Sequence, residues 1–159
     1  MKGYTVTIQG EQSMLAAIRR AGARIDDMTP LMRQVSQVLK FATEESFAGE
    51  KHASTGASWP RLAPSTVRSF VTKKRRRGTG PILQVTGRLA ASVTTTSGKR
   101  EAVIGSNVVY AAIHQFGGRA GRGLRTQIPA RPYIGLTPTD AGEIETAALR
   151  FIEAALAQR

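Results

Sequence analysis

Apolar positions along the chain change period several times, and each change marks an element. Tyr4, Val6 and Ile8 alternate with Thr5, Thr7 and Gln9, the period-two pattern of a half-buried strand. From Glu11 the period lengthens, and Met14, Leu15, Ile18, Ala21 and Ile25 share one helical stripe. Thr29-Pro30 reads as an N-cap followed by proline at the first helical position. The helix it opens is expected from Pro30 to about Phe47, with Leu31, Val35, Val38, Leu39 and Ala42 facing inward. Two helices with so short a link form either a helical hairpin or one long helix broken in the middle.

Past Phe47 the texture changes. Residues 48–64 are rich in Gly, Ser, Ala and Pro, which predicts a loop pinned by Trp59 and Leu62. Ser65 is placed to cap a short helix through Phe70, and Thr86 one or two turns carrying Leu89. "SVTTTSGKREAVIGS" reads as a hairpin, with Val93 and Thr95 opposing Ala102 and Ile104 around Ser97-Gly98-Lys99. "VVYAAIHQF" reads as a short helix burying Val109, Ile113 and Phe116. Tyr133 to Leu136 suggests a last strand. Thr139 then caps a C-terminal helix burying Ile144, Ala148, Phe151 and Leu156. The sum is one α+β domain over residues 1–159, a small, mostly antiparallel sheet packed by N-terminal helices and a C-terminal helix. Mobile loops are expected at about 48–64, 73–80 and 117–127.

Charge adds what periodicity does not carry. The 159 residues have a formal net charge of +12, yet residues 51–139 hold 15 of the 23 Lys and Arg and a single acid, Glu101. The flanks are mixed-charge helices; the middle is a polycation. Such a field attracts phosphate backbones or an acidic protein surface. The cations cluster in two places: Lys73, Lys74, Arg75, Arg76 and Arg77, beside helix-breaking Gly78, Gly80 and Pro81, and a Gly-rich stretch with Arg119, Arg122 and Arg125. No run approaches a membrane span and the N-terminus has no signal-like apolar region. With no cysteine, disulfides and thiolate metal sites are excluded.

Catalytic groups are sparse. His52 and His114 have neither a second histidine nor a carboxylate at metal-ligand spacing. Asp26-Asp27 and Glu44-Glu45 lie in helical contexts that read as caps and solvated faces rather than acid–base pairs. Neither a nucleophile elbow nor a phosphate loop is present, and "GGRAGRG" departs from the dinucleotide spacing. The expectation is a non-enzyme with no cofactor and no metal. Sequence-specific DNA reading is disfavoured, because none of the expected helices carries cations along one exposed face. Non-specific DNA contact fits the charge.

Four stretches, in order, resemble the phage virion morphogenesis family, which includes tail completion proteins of Mu-like contractile-tailed phages. "GASWPRLAPSTVRSF" (56–70) is similar to its Gly-x-x-Trp-x-x-Leu-x-x-x-Thr box, and "ILQVTGRLAASV" (82–93) to its Ile-Leu-x-x-Thr-Gly-x-Leu-x-x-Ser box. "VVYAAIHQFGG" (108–118) matches a Tyr-Ala-x-x-His-Gln-Phe-Gly pattern, and "IPARPYIGLT" (128–137) a Pro-Ala-Arg-Pro-aromatic ending before the last helix. The Arg/Gly stretch between Gly117 and Ile128 departs from the pattern, and no role is carried over to it. The resemblance implies a structural protein of tail completion and head–tail joining, placed in the virion at the neck or tail end and in the host cytoplasm during assembly. It implies partners among head–tail connector and tail proteins, DNA in the channel as a further contact, and a homo-oligomer, with a hexameric ring as one form.

Pro129 and Pro132 remove two backbone donors and fix φ, so Ala130-Arg131 is expected to be held extended. Tyr133 and Phe116 are expected to anchor this clamp in the core, with Arg131 directed at a partner or a helix C-terminus. The basic loops then reach an adjacent subunit, an acidic virion partner or DNA. A lone Trp59 in a Gly/Pro loop is better read as a core lid than as a partner hot spot. Under the lid reading, Trp59→Ala loses roughly 3–5 kcal/mol in denaturant unfolding. An equally stable variant deficient only in assembly makes Trp59 a partner contact instead.

Overall fold

The computed structural model describes residues 11–72 and 81–157. The expected strand at 4–9 and the basic run 73–77 lie outside the described residues. The fold is α+β. Helix α1 (Glu11–Asp26) is followed by α2 (Thr29–Gly49), α3 (Pro64–Thr72) and α4 (Arg88–Ala91). Strands β1 (Val93–Ser97) and β2 (Ala102–Ser106) precede α5 (Ala111–Phe116). Strands β3 (Gly118–Ala120) and β4 (Thr126–Ile128) flank a 3-10 turn at Arg122–Leu124, and α6 (Pro138–Ala157) closes the order. Both strand pairs are separate two-stranded antiparallel sheets, rather than one sheet.

Helix α2 is the spine: it packs against α6 and against the β1–β2 hairpin, while α1 packs on α6. Its inward face buries Leu31, Ser36, Ala42, Thr43, Ser46 and Phe47. The three buried hydroxyls all donate to carbonyls: Ser36 reaches across to Thr96 O at 3.2 Å, and Thr43 and Ser46 bond back to Leu39 O and Ala42 O. Small hydroxyl residues let the helix lie close to the sheet without leaving an unsatisfied polar group.

The α1–α2 break lies at Asp27-Met28, and its cap differs from expectation. Thr29 is the first residue of α2, and Met28 occupies the boundary position. The Asp27 carboxylate accepts both the Thr29 hydroxyl and the Thr29 N–H, interactions that hold its pKa below the ordinary carboxylate value. A carboxylate two residues upstream thus takes the role given to threonine. The Met28 N–H also donates to Lys99 O, and Arg100 pairs with Asp26 at 3.1 Å, fastening the break to the β1–β2 turn.

The hairpin register is Val93↔Ser106, Thr95↔Ile104 and Ser97↔Ala102, so Thr95 faces Ile104 as expected while Val93 and Ala102 face serines. Ser65 lies inside α3, which starts at Pro64. Gly87 is the boundary residue of α4, and Thr86 Oγ1 accepts the Arg88 N–H only at 3.4 Å. At the last helix the cap is Thr137, not Thr139. Thr137 Oγ1 accepts the Asp140 N–H at 3.2 Å and Asp140 Oδ2 accepts the Thr137 N–H at 2.7 Å, a reciprocal capping box around Pro138.

Several apolar positions expected inside are outside. Val109 is 99% exposed, and its neighbour Val108 is buried in its place. Phe116 is 78% exposed and is not a core anchor. Leu15, Ile18, Ile25 and Leu156 are likewise exposed, although Ile144, Ala148 and Phe151 are half-buried. Thr137→Ala removes one half of the capping box and is expected to lower stability by about 1 kcal/mol. Asp140→Ala, measured by the same urea titration, is expected to lose a similar amount, and the double variant less than the sum.

Candidate functional site: an interaction scaffold around a proline clamp

Residues 129–136 belong to no strand and bend at Ile134, so Tyr133–Leu136 is not the last strand the sequence suggested. Several of their backbone groups are nevertheless paired. The Arg131 N–H donates to His114 O at 2.7 Å. Gln115 then behaves as a strand partner made from one side chain. Its Oε1 accepts the N–H groups of Tyr133 and Ile134 at 3.0 and 3.1 Å, and its Nε2 donates to Ile134 O at 2.8 Å. The Pro132 carbonyl accepts twice, from the Trp59 indole N–H at 3.1 Å and the Ala53 N–H at 3.1 Å.

Below this segment lies an aromatic cluster. Phe47 packs edge-on to Trp59 with ring centroids 5.8 Å apart, and Tyr133 lies 5.1 Å from Phe47 in a tilted stack. Such offset and T-shaped geometries are the favourable ones for ring quadrupoles. Tyr133 is only 1% exposed, and its hydroxyl donates to Ala111 O at 3.2 Å. Burial pushes its pKa upward, so it stays a donor. Trp59, Leu89, Val93, Val108 and Ala111 complete the cluster.

Arg131 points inward rather than to a partner or a helix C-terminus. It is 4% exposed, with Nε donating to Pro60 O at 2.9 Å and Nη2 to Arg61 O at 3.1 Å. Desolvation lowers its pKa from the ordinary guanidinium value. The fork of donors locks the 60–61 backbone directly after Trp59, so the clamp and the Trp loop hold each other. Glu50 adds a third fastening: its carbonyl accepts the Trp59 N–H at 2.8 Å and its carboxylate accepts the Ile82 N–H. Gln84 Nε2 caps Phe47 O at 2.7 Å. Pro129 and Pro132 are both half-buried in this frame.

Beyond the clamp, the stretch 117–127 is a β-hairpin and not a loose loop. Gly118 pairs with Ile128, Arg119 with Gln127 and Ala120 with Thr126. Gly117 at φ +73° leads into it, where a Cβ would come within 2.8 Å of Ala130 N. Only glycine fits that crossing. Arg119, Arg122 and Arg125 are exposed on the hairpin. Lys73 to Arg77 lie outside the described residues. His114 is half-buried with its Nδ1 unpartnered, its ring edge-on to Tyr110 at 5.8 Å. His52 accepts the Ser54 N–H at 3.2 Å and shapes the Trp loop. Among the described residues, no group of three or more His, Asp or Glu could hold a metal ion, and no helix is long and apolar enough to cross a membrane.

Gln115 and Glu50 were missed as structural residues by the reading of the sequence. A glutamine one residue before an apolar helix end carries no periodic signal. Its only trace was its place in the Tyr-Ala-x-x-His-Gln-Phe-Gly pattern.

The profile of the phage virion morphogenesis family matches residues 8–153, nearly the whole chain. The chain belongs to that family. A Mu-like prophage FluMu G protein 2 from Haemophilus influenzae is 36% identical over 140 residues, covering 87% of this chain and 88% of the relative. A protein named for capsid assembly, protein G of Escherichia phage Mu, is 32% identical over 157 residues, 93% of this chain and 98% of the relative. FluMu G protein 1 of the same Haemophilus strain is 34% identical over 128 residues, 77% of this chain and 78% of the relative. No solved structure matches at a significant level. The family gives the chain a role in building the virion. Within it, the boxes that carry the resemblance are the boxes that make the clamp: Trp59 in the first, Leu89 in the second, Gln115 in the third, Arg131 and Tyr133 in the fourth.

Two outcomes test the scaffold. Gln115→Leu keeps the volume but orphans two part-buried backbone donors, and is expected to destabilise the fold by about 2–4 kcal/mol in urea unfolding. His114 has its pKa lowered from 6.5, chiefly by desolvation and then by Arg131. Its unfolded form therefore binds more protons between the depressed folded value and 6.5, and stability falls as pH drops through that window. Unfolding measured at pH 7.5 and 5.5 is expected to show a smaller loss in His114→Gln than in wild type.

Proposed function

We propose that this protein is a non-enzymatic component that completes the tail and joins it to the head, as a ring at the neck or tail end. The observation that carries the reading is that the family-like boxes build a closed frame and not a cleft. Trp59, Gln115, Arg131 and Tyr133 spend their polar groups on backbone carbonyls and amides, so none is left aimed at a substrate. A rigid frame that carries an exposed basic hairpin is suited to docking. The Mu relative's name speaks of capsid assembly, and a joint between head and tail is a place where both terms apply.

Its expected neighbours are connector and tail proteins, with DNA in the channel as a further contact for the cations. Assembly takes place in the host cytoplasm before the protein enters the virion. A second reading, a small basic nucleic-acid-binding protein, draws support from the single acid among residues 51–139.

Quantitative mass spectrometry of finished particles, calibrated on the capsid protein, separates the two readings. A fixed small copy number matching a ring is the expected result, and absence from intact particles would sink the structural role. If the hairpin arginines contact duplex phosphates, the Arg119→Ala, Arg122→Ala, Arg125→Ala protein shows a shallower salt dependence of DNA binding, by roughly 0.9 per lost contact.

A further inference from the structure

Two exposed apolar stripes of opposite charge lie on different parts of the molecule. The first is on α6. Leu149, Ile152 and Leu156 are all exposed and follow Glu145 at spacings of four, three and four residues, which places the four on one helical face. That face is turned away from buried Asp140 and borders buried Ala155. The helix carries four acids, Asp140, Glu143, Glu145 and Glu153, against one arginine, Arg150, and Glu145 and Glu153 are exposed beside the stripe.

The second lies at α5 and its hairpin. Val109, Ala112 and Phe116 are spaced by three and four residues and are all exposed. The hairpin that starts two residues after Phe116 adds exposed Leu124 with Arg119, Arg122 and Arg125, and carries no acid. Exposed apolar residues gathered in patches, unlike those scattered singly, mark interaction surfaces. Here one patch has an acidic rim and the other a basic rim.

We infer that the α5–hairpin face of one copy docks on the outer face of α6 in a second copy. The hairpin arginines then meet Glu145 and Glu153, and Phe116 and Leu124 cover Leu149, Ile152 and Leu156. Charge complementarity selects the second copy as occupant: the chain supplies both halves, and like faces repel. Because the faces differ, the contact is heterologous and head-to-tail, and repeats into a ring or a filament. This rests on the assembly role proposed above and names the surface through which copies would join.

The test uses the full-length protein, freed of nucleic acid, in sedimentation velocity over a concentration series. Wild type is expected to associate below about 100 µM. The hairpin variant R119E/R122E/R125E and the helix variant E145K/E153K are each expected to weaken association by at least about tenfold, since each sets like charges together. All five changes in one chain restore complementarity with reversed sign and are expected to recover association. Thermal melting checks that each variant, changed only at exposed positions, still folds. Phe116→Ser is expected to weaken association with no such rescue. A wild type that stays monomeric throughout overturns the inference, as do single-face variants that associate like wild type. A hairpin variant that loses only DNA binding overturns it in favour of a nucleic-acid contact. None of these outcomes changes the copy number found in particles, so the wider assembly reading stands or falls separately.

Discussion

The pairing of a strandless segment by side chains and by loop and helix backbone is the constraint on which this structure depends. A chain with prolines at 129 and 132, three positions apart, cannot supply a full ladder of donors, so 129–136 cannot serve as a central strand. Its remaining polar groups still need partners in a half-buried setting. Gln115 and His114 O from α5, and the Trp59 indole and Ala53 N–H from the Trp loop, meet that need. The same contacts draw α5, the Trp loop and the end of α2 onto one point. Tyr133 and Phe47 then fill the space beneath. Loss of any one partner exposes a neighbour's unpaired group, which couples these distant segments.

This arrangement explains how Arg131 is buried with no carboxylate paired to it among the described residues. Its charge is stabilised by two carbonyl oxygens in the fork geometry a guanidinium prefers, so no acid is required in a region almost empty of acids. The closeness of the partners is also visible at Gly135, where a Cβ would run into the Ser54 hydroxyl and Ala53 Cβ. The clamp and the Trp loop approach to backbone distance along their length. A frame so interlocked leaves the cations of the hairpin as surface features, free of structural duty.

Much of the fold was legible in the sequence, and the exceptions have physical causes. Helix α2, the β1–β2 hairpin and α6 were readable because each has enough turns or pairs for a period to show. The hairpin register was right at Thr95↔Ile104, and in an antiparallel pair that one match sets Val93 against Ser106 and Ala102 against Ser97, not Val93 against Ala102. Phe116 was misplaced because six helical residues give too few repeats to separate a buried from an exposed apolar face, and Val109 because it precedes the helix. Thr137 was overlooked in favour of Thr139, although Pro138 at the first helical position, read as at Pro30, points to the residue before it. Asp27 overtook Thr29 because a carboxylate reaches forward two residues and accepts two donors at once. Of the site, the clamp's prolines and Tyr133 could be read from sequence. The inward turn of Arg131 and the strand-like work of Gln115 could not, since both depend on which carbonyls the tertiary fold brings near.

The base of the arginine hairpin has a consequence for how the molecule can vary. Gly118 and Ile128 pair with each other where the chain leaves α5 and enters the clamp, so entry and exit lie side by side. Everything from Arg119 to Gln127 therefore hangs from a closed stem. Residues can be added to or removed from that appendage at little cost in loop entropy, and without shifting the frame beneath it. Length and charge there can change from one lineage to another while the scaffold stays constant, making the hairpin a site where binding preference can evolve independently of folding.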